Sequence, residues 1–330
     1  MEAVISKFES ADQRTAPQRT GVTVRAREGR LYHGLLTAAA LVAPAILVLF
    51  VGVLVYGAWP SIRAFGLSFL TSSVWEPHPE REQYGALPFI VGTLISAVLA
   101  LCLAAPFGIA VATFLNEVLT SRWRSAARFL IEVLATIPSV VYGLWGIFVL
   151  APWVSNTLQP VLARSLGFLP IFGPPYEPRN MFCAVLILAI MVLPIIVSIS
   201  LEAIRAVPAS YREAALGLGA TRWEMIRVAV WPACGSAFAG GCILALGRAL
   251  GETMAVTMVI GNGRRISPSL FAASDTVAST IANQFAEAPS DLFTAALIEM
   301  ALLLFLVTLA VNVLARWIIR PSLPGAGGRS

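Results

Sequence analysis

Lysine is all but missing from this chain: Lys7 is the only one in 330 residues. A phosphate-gripping P-loop needs G-x-x-x-x-G-K-[ST], so none can form here. Any ATP-driven work must therefore be powered by another polypeptide. Charge is scarce too, at 12% of residues where a soluble domain carries about 25%. The two histidines, His33 and His78, do not cluster, and the four cysteines (Cys102, Cys183, Cys234, Cys242) sit in apolar runs without ligand spacing. A metal site and a disulfide framework are both unsupported, and buried free thiols are the simpler reading. No nucleophile–base constellation appears either, which argues against an enzyme.

What is present is apolar: 58% hydrophobic residues and a mean hydropathy of +0.80. Uncharged runs long enough to cross about 30 Å of hydrocarbon recur along the chain. They predict an all-α polytopic membrane protein with six spans, near 35–56, 86–115, 131–152, 180–201, 233–262 and 292–315. An uncleaved first span fits better than a signal peptide, whose apolar region is shorter and nearer the start. Residues 1–30 form a polar, basic tail, and 31–85 hold the first span and an outer loop. Residues 86–318 form the main transmembrane domain, and 319–330 a second tail. Sixteen Lys/Arg fall in the tails and in the loops 116–130 and 202–232, against six on the other face. The positive-inside rule then places both termini in the cytoplasm. Pro106, Pro138, Pro194, Gly143, Gly146, Gly240 and Gly241 mark packed, kinked helices of the kind a transport path uses.

One pair of charges interrupts the fifth run. Arg248 and Glu252 lie four residues apart in Gly247-Arg248-Ala249-Leu250-Gly251-Glu252-Thr253. Each costs roughly 2.5–3.5 kcal/mol at a helix centre, so a polar route or a partner is expected. On one continuous helix the two would share a face. Glu132 is read as a carboxylate favoured at the helix N-terminus of span three. Glu299, seven residues into span six, is a second acid that could face the bundle interior. Pro138-Ser139 offers a kink and a hydroxyl.

The 202–232 loop carries its own local signals. Ser210 with Glu213 and Thr221 with Glu224 both have the spacing of a capping box, and Gly217 and Gly219 stop the first helix. The expected product is a helical hairpin. Ala214 and Ala215 keep it thin enough to enter a partner's groove.

Glu213-Ala214-Ala215, then Gly219 and Pro232, resembles the EAA loop of ABC-importer permeases. Gly247 to Val256 resembles the membrane signature of phosphate-specific transport permeases, as do Tyr84 to Ile90 and Glu132 to Gly146. Met254-Ala255-Val256 with Ile260-Gly261-Asn262 favours the C-type subunit. The resemblance covers about residues 31–318. It implies a type I ABC-importer permease fold in a bacterial cytoplasmic membrane, with 86–318 as the ABC transporter type-1 domain. It further implies coupling helices that rest in a cleft of an ATPase dimer, through Glu213, Ala214, Ala215, Gly219, Arg222 and Trp223. The implied substrate path runs past Arg248, Glu252, Thr253 and Ser139. Implied partners are an A-type permease, a homodimeric ATPase carrying ATP and Mg, and an extracytoplasmic phosphate-binding protein; neither a cofactor on this chain nor nucleic acid is implied.

Arg offers a fork of donors matched to phosphate oxygens. Ionised Glu252 can accept a hydrogen bond from the P–OH group that sulfate lacks, while its charge discourages tight capture. Permeases for molybdate or sulfate are the same-class alternative. A self-contained anion transporter is the different-class one, and it predicts inverted repeats that this sequence lacks.

Overall fold

The computed structural model describes residues 26–77 and 82–319; the rest of both tails and His78 lie outside the described residues. Among them are six helices long and apolar enough to cross a membrane. They are α1 (Ala26–Phe65), α2 (Leu87–Val118), α4 (Ser139–Leu166), α5 (Met181–Ala206), α7 (Arg222–Leu250) and α10 (Asp291–Ile319). Shorter helices lie between them: α3 (Ser121–Thr136), α6 (Ala209–Gly217), α8 (Met254–Val259) and α9 (Val277–Gln284). Two-residue strands β1 (Trp75–Glu76) and β2 (Gln83–Tyr84) pair antiparallel. The chain divides into two compact units inside α1, up to Val53 and from Leu54 on. In the first unit, residues 26–30, expected as tail, are already helical, and Leu35, Leu41, Ile46 and Val48 are exposed as side chains facing lipid are.

Two boundaries differ from the sequence expectation. The third span is Ser139–Leu166, not 131–152. Residues before proline are pushed out of the helical region, and Ile137 is extended (φ −64°, ψ 127°). The segment before it therefore becomes the separate amphipathic helix α3. Glu132 thus belongs to α3, where it accepts from Arg128 Nε at 2.7 Å, rather than starting span three. The fifth helix stops at Leu250 instead of running to Asn262. Gly251, Glu252 and Thr253 leave helical geometry before α8 resumes.

Prolines explain the local irregularities. Ala151, Gln159 and Trp231 each donate to the carbonyl five residues back, and each is followed by a proline. A proline ring collides with the carbonyl one turn behind it and brings no N–H. A π-turn just upstream shifts that carbonyl aside without ending the helix. Pro232 therefore does not separate hairpin from span, as expected, but lies within one continuous α7.

The second unit packs through small residues. Gly92, Ser96, Ala100, Ala104, Gly108 and Ala112 recur every four positions along α2 and are buried. A Cβ on Gly108 would come 2.7 Å from Ile196 on α5, so the two helices approach to backbone distance. At the end of the bundle away from α6, Phe69, Trp75, Tyr84, Phe89 and Phe293 form an aromatic cluster. Gly261 (φ 93°) and Asn262 (φ 56°) turn the chain there. Gly261 also lies against the Arg179 carbonyl, where a side chain would not fit.

Candidate functional site

The break after Leu250 sets the geometry of the central pair. Arg248 occupies the last turn of α7, where unpaired carbonyls favour a cation. Glu252 follows the turn at Gly251. Arg248 Nη2 stands 3.8 Å from Glu252 Oε2, so the pair survives, but across a break and not along one helix face. That separation is outside hydrogen-bond range, so the guanidinium donors are not spent on the carboxylate. The Arg248 side chain is 46% exposed and that of Glu252 9%, which makes the arginine the accessible partner.

Thr253 follows directly, and its Oγ1 donates to the Gly251 carbonyl at 3.3 Å, stiffening the turn. Its carbonyl accepts from Thr257 Oγ1 at 2.7 Å. Ser139 opens α4 beyond Pro138 and is half-buried. Tyr142, one turn further on, is the α4 side chain that interacts electrostatically with Arg248. Gly143 lets α4 close on α8: a Cβ there would meet Met258 Sδ at 2.5 Å and the Ala255 Cα at 3.2 Å. The pair is thus held where α7, α8 and α4 converge. Tyr142 was missed from sequence because its nearness to Arg248 is purely tertiary.

At the other end of α7 the hairpin forms as expected in outline. Thr221 Oγ1 accepts from the Glu224 N–H at 3.3 Å, and Glu224 Oε2 accepts from the Thr221 N–H at 2.8 Å, completing that capping box. The Ser210 box does not form. α6 begins at Ala209 behind Pro208, so Ser210 already lies in the first helical turn and cannot cap it. Gly219, at φ 87°, ends α6; the Gly219 N–H donates to Leu216 and the Ala220 N–H to Ala215. That pairing closes a helix with a left-handed glycine.

The proposed coupling residues divide by face. Glu213, Ala214, Arg222 and Trp223 are exposed, while Ala215 packs inward with Met225 and Ile226. The Trp223 ring stands edge-on to Trp231, centroids 5.6 Å apart. Leu218 is 90% exposed and Tyr211 55%, so the outer face is apolar as well as charged. Trp231 Nε1 donates to Thr113 Oγ1 at 3.1 Å, joining α7 to α2. Glu299 is buried on α10, as the interior reading expects. Among the described residues no group of His, Cys, Asp and Glu could hold a metal.

Comparison with known proteins gives this geometry its context. The family described as "Binding-protein-dependent transport system inner membrane component" matches residues 104–321. The phosphate transport system permease protein PstC of Mesorhizobium japonicum is 43% identical over 297 residues, 88% of this chain and 89% of that protein. Its counterpart in Haemophilus influenzae is 44% identical over 271 residues, 81% of this chain and 85% of that protein. A chain of a bacterial alginate ABC transporter, solved with an alginate pentasaccharide-bound periplasmic protein, superposes with a TM-score of 0.60 at 17% identity. It covers 90% of this chain and 98% of that chain, which establishes a shared fold.

Proposed function

Because this chain belongs to the binding-protein-dependent transport inner membrane components, and within them to the phosphate transport permeases, we propose that it forms half of an ATP-driven path for inorganic phosphate. The observation that carries the reading is the accessible Arg248 beside the recessed Glu252 at the α7 break. The arginine fork suits two phosphate oxygens. Glu252 orients that fork and accepts a hydrogen bond from a P–OH group, and its negative charge keeps occupancy brief. Thr253 and Ser139 border the same path.

The other half is a second permease of the A-type. A homodimeric ATPase binding ATP and Mg receives the exposed face formed by Glu213, Ala214, Arg222 and Trp223. An extracytoplasmic phosphate-binding protein delivers the anion at the opposite end. Both termini lie in the cytoplasm of a bacterial cell, following the basic loops.

The test is uptake of labelled phosphate by the four-component assembly in proteoliposomes with ATP inside, competed with sulfate and molybdate. Phosphate alone should compete. Arg248→Gln should assemble and lose uptake by roughly tenfold to a hundredfold, the range for a charge-assisted hydrogen bond. Loss of Arg248 alone leaves the recessed Glu252 carboxylate without its counter-charge, so the double variant Arg248→Gln/Glu252→Gln decides. If it assembles and transports at the wild-type rate, the path does not run past this pair.

A further inference from the structure

The hairpin is covalently continuous with α7, but its firmest side-chain tie runs elsewhere. Arg212, on α6, donates from Nε and Nη2 to Glu117 Oε1 at 3.3 and 3.0 Å. Glu117 lies 95 residues earlier, in the π-helical end of α2. The same guanidinium donates from Nη1 to the Val207 carbonyl and from Nη2 to the Ile204 carbonyl, each at 2.7 Å. Those carbonyls close the C-terminal end of α5, where a cation is favoured. One side chain therefore joins α6, α2 and α5.

From this we propose that Arg212 is a positioning residue for transport, a clamp through which movement of the hairpin reaches the second span, α2, together with the fourth, α5. The proposal rests on the coupling role given to the hairpin above. Arg212 and Glu117 have side chains only 21% and 10% exposed. Arg128 and Glu202, which bridge α3 and α5 at 3.0 Å, are 42% and 60% exposed. An exposed pair transmits little because water competes for it; a sheltered, charge-assisted one holds its geometry.

The surroundings stiffen the clamp. Asn116 Nδ2 donates to Glu117 Oε1 at 2.9 Å, and Arg124 Nη2 holds the carbonyls of Asn116 and Leu119 at 2.6 and 3.1 Å. Leu115, Leu201, Ile204, Met225 and Ile226 pack in one apolar cluster at this level. The π-turn at Phe114–Val118 also matters. One residue of helix is about 100° of rotation, so a regular α-turn would swing Glu117 off the Arg212 direction.

The experiment measures phosphate moved per ATP hydrolysed by the complete assembly in proteoliposomes. Glu117→Gln keeps the size of the side chain and leaves Arg212 its two carbonyl partners. It should assemble and hydrolyse ATP while carrying ~10-fold less phosphate per ATP, within the span of coupling between sites. Glu117→Asp should recover part of that ratio, and Arg128→Gln, at the exposed bridge, should leave it unchanged. A wild-type ratio in an assembled Glu117→Gln complex overturns the clamp. If that variant does not assemble, Arg212→Lys, which keeps the charge but loses the fork, decides by the same ratio. A wild-type assembly showing no ATP-dependent phosphate uptake would instead overturn the functional reading beneath it.

Discussion

The Tyr142 hydroxyl reaches back across the break at Pro138 and donates to the Leu134 carbonyl at 2.9 Å. It thereby adds a shorter bond to a carbonyl near the end of α3 that otherwise accepts only the Ile137 N–H at 3.4 Å, and it ties α4 back to α3. Tyr142→Phe removes only that bond. It should lower stability by about 1 kcal/mol, read as a fall in the melting temperature of the purified complex. An unchanged melt would mean the break is held by packing alone.

Glycines at two positions should respond in opposite ways to alanine. A methyl on Gly92 would land on the Asp275 backbone carbonyl, which cannot give way, whereas around Gly240 nothing lies within 4 Å. Gly92→Ala should cost at least about 1–3 kcal/mol, as overpacking does, and deplete the protein in membranes. Gly240→Ala should stay within roughly 0.5 kcal/mol. Comparable yields and melts for the two would contradict the close approach of α2 to the 274–276 segment.

Asp275 gives a pH signature. Burial pushes its carboxyl above the usual carboxylate range, opposed by hydrogen bonds from Ser279, Thr280 and the Thr276 N–H and by the charge of Arg264. The folded protein then holds this proton more tightly than the unfolded chain. The resulting stability is complete below the unfolded value of roughly 3.9 and disappears as pH rises through the raised folded value. Over that window the melting temperature of wild type should fall relative to Asp275→Asn. A constant difference between the two would show that burial does not perturb the group.

The Thr221 box should act locally. Thr221→Ala removes the acceptor for the Glu224 N–H at the start of α7 and should cost about 1 kcal/mol there. Amide exchange should quicken around residues 221–225 while the membrane-embedded part of α7 stays protected. Uniform loss of protection along α7 would mean that the cap governs the whole helix.

Much of this was legible along the chain because its causes are local. Apolar runs longer than a bilayer mark six spans, a left-handed glycine at Gly219 ends α6, and Thr221 with Glu224 caps α7. Arg248 and Glu252 stand out because charge in lipid is costly wherever the helix goes. Ser210 shows the limit: its spacing to Glu213 is right, but the helix starts two positions earlier, with Pro208 in the capping site.

The sequence by itself determined an all-helical membrane protein without an ATPase motif, its six crossings and the presence of a charged pair in the fifth. Hydrophobic length, charge cost and capping all act within a few residues. Tertiary structure alone decided that α7 breaks between Arg248 and Glu252, leaving the arginine accessible and the carboxylate recessed. It alone placed Tyr142 near that arginine, buried Asp275 against α2 and joined Arg212 to Glu117. Those outcomes depend on which helices approach one another, and the small residues on α2 and α4 permit that approach without naming its partner.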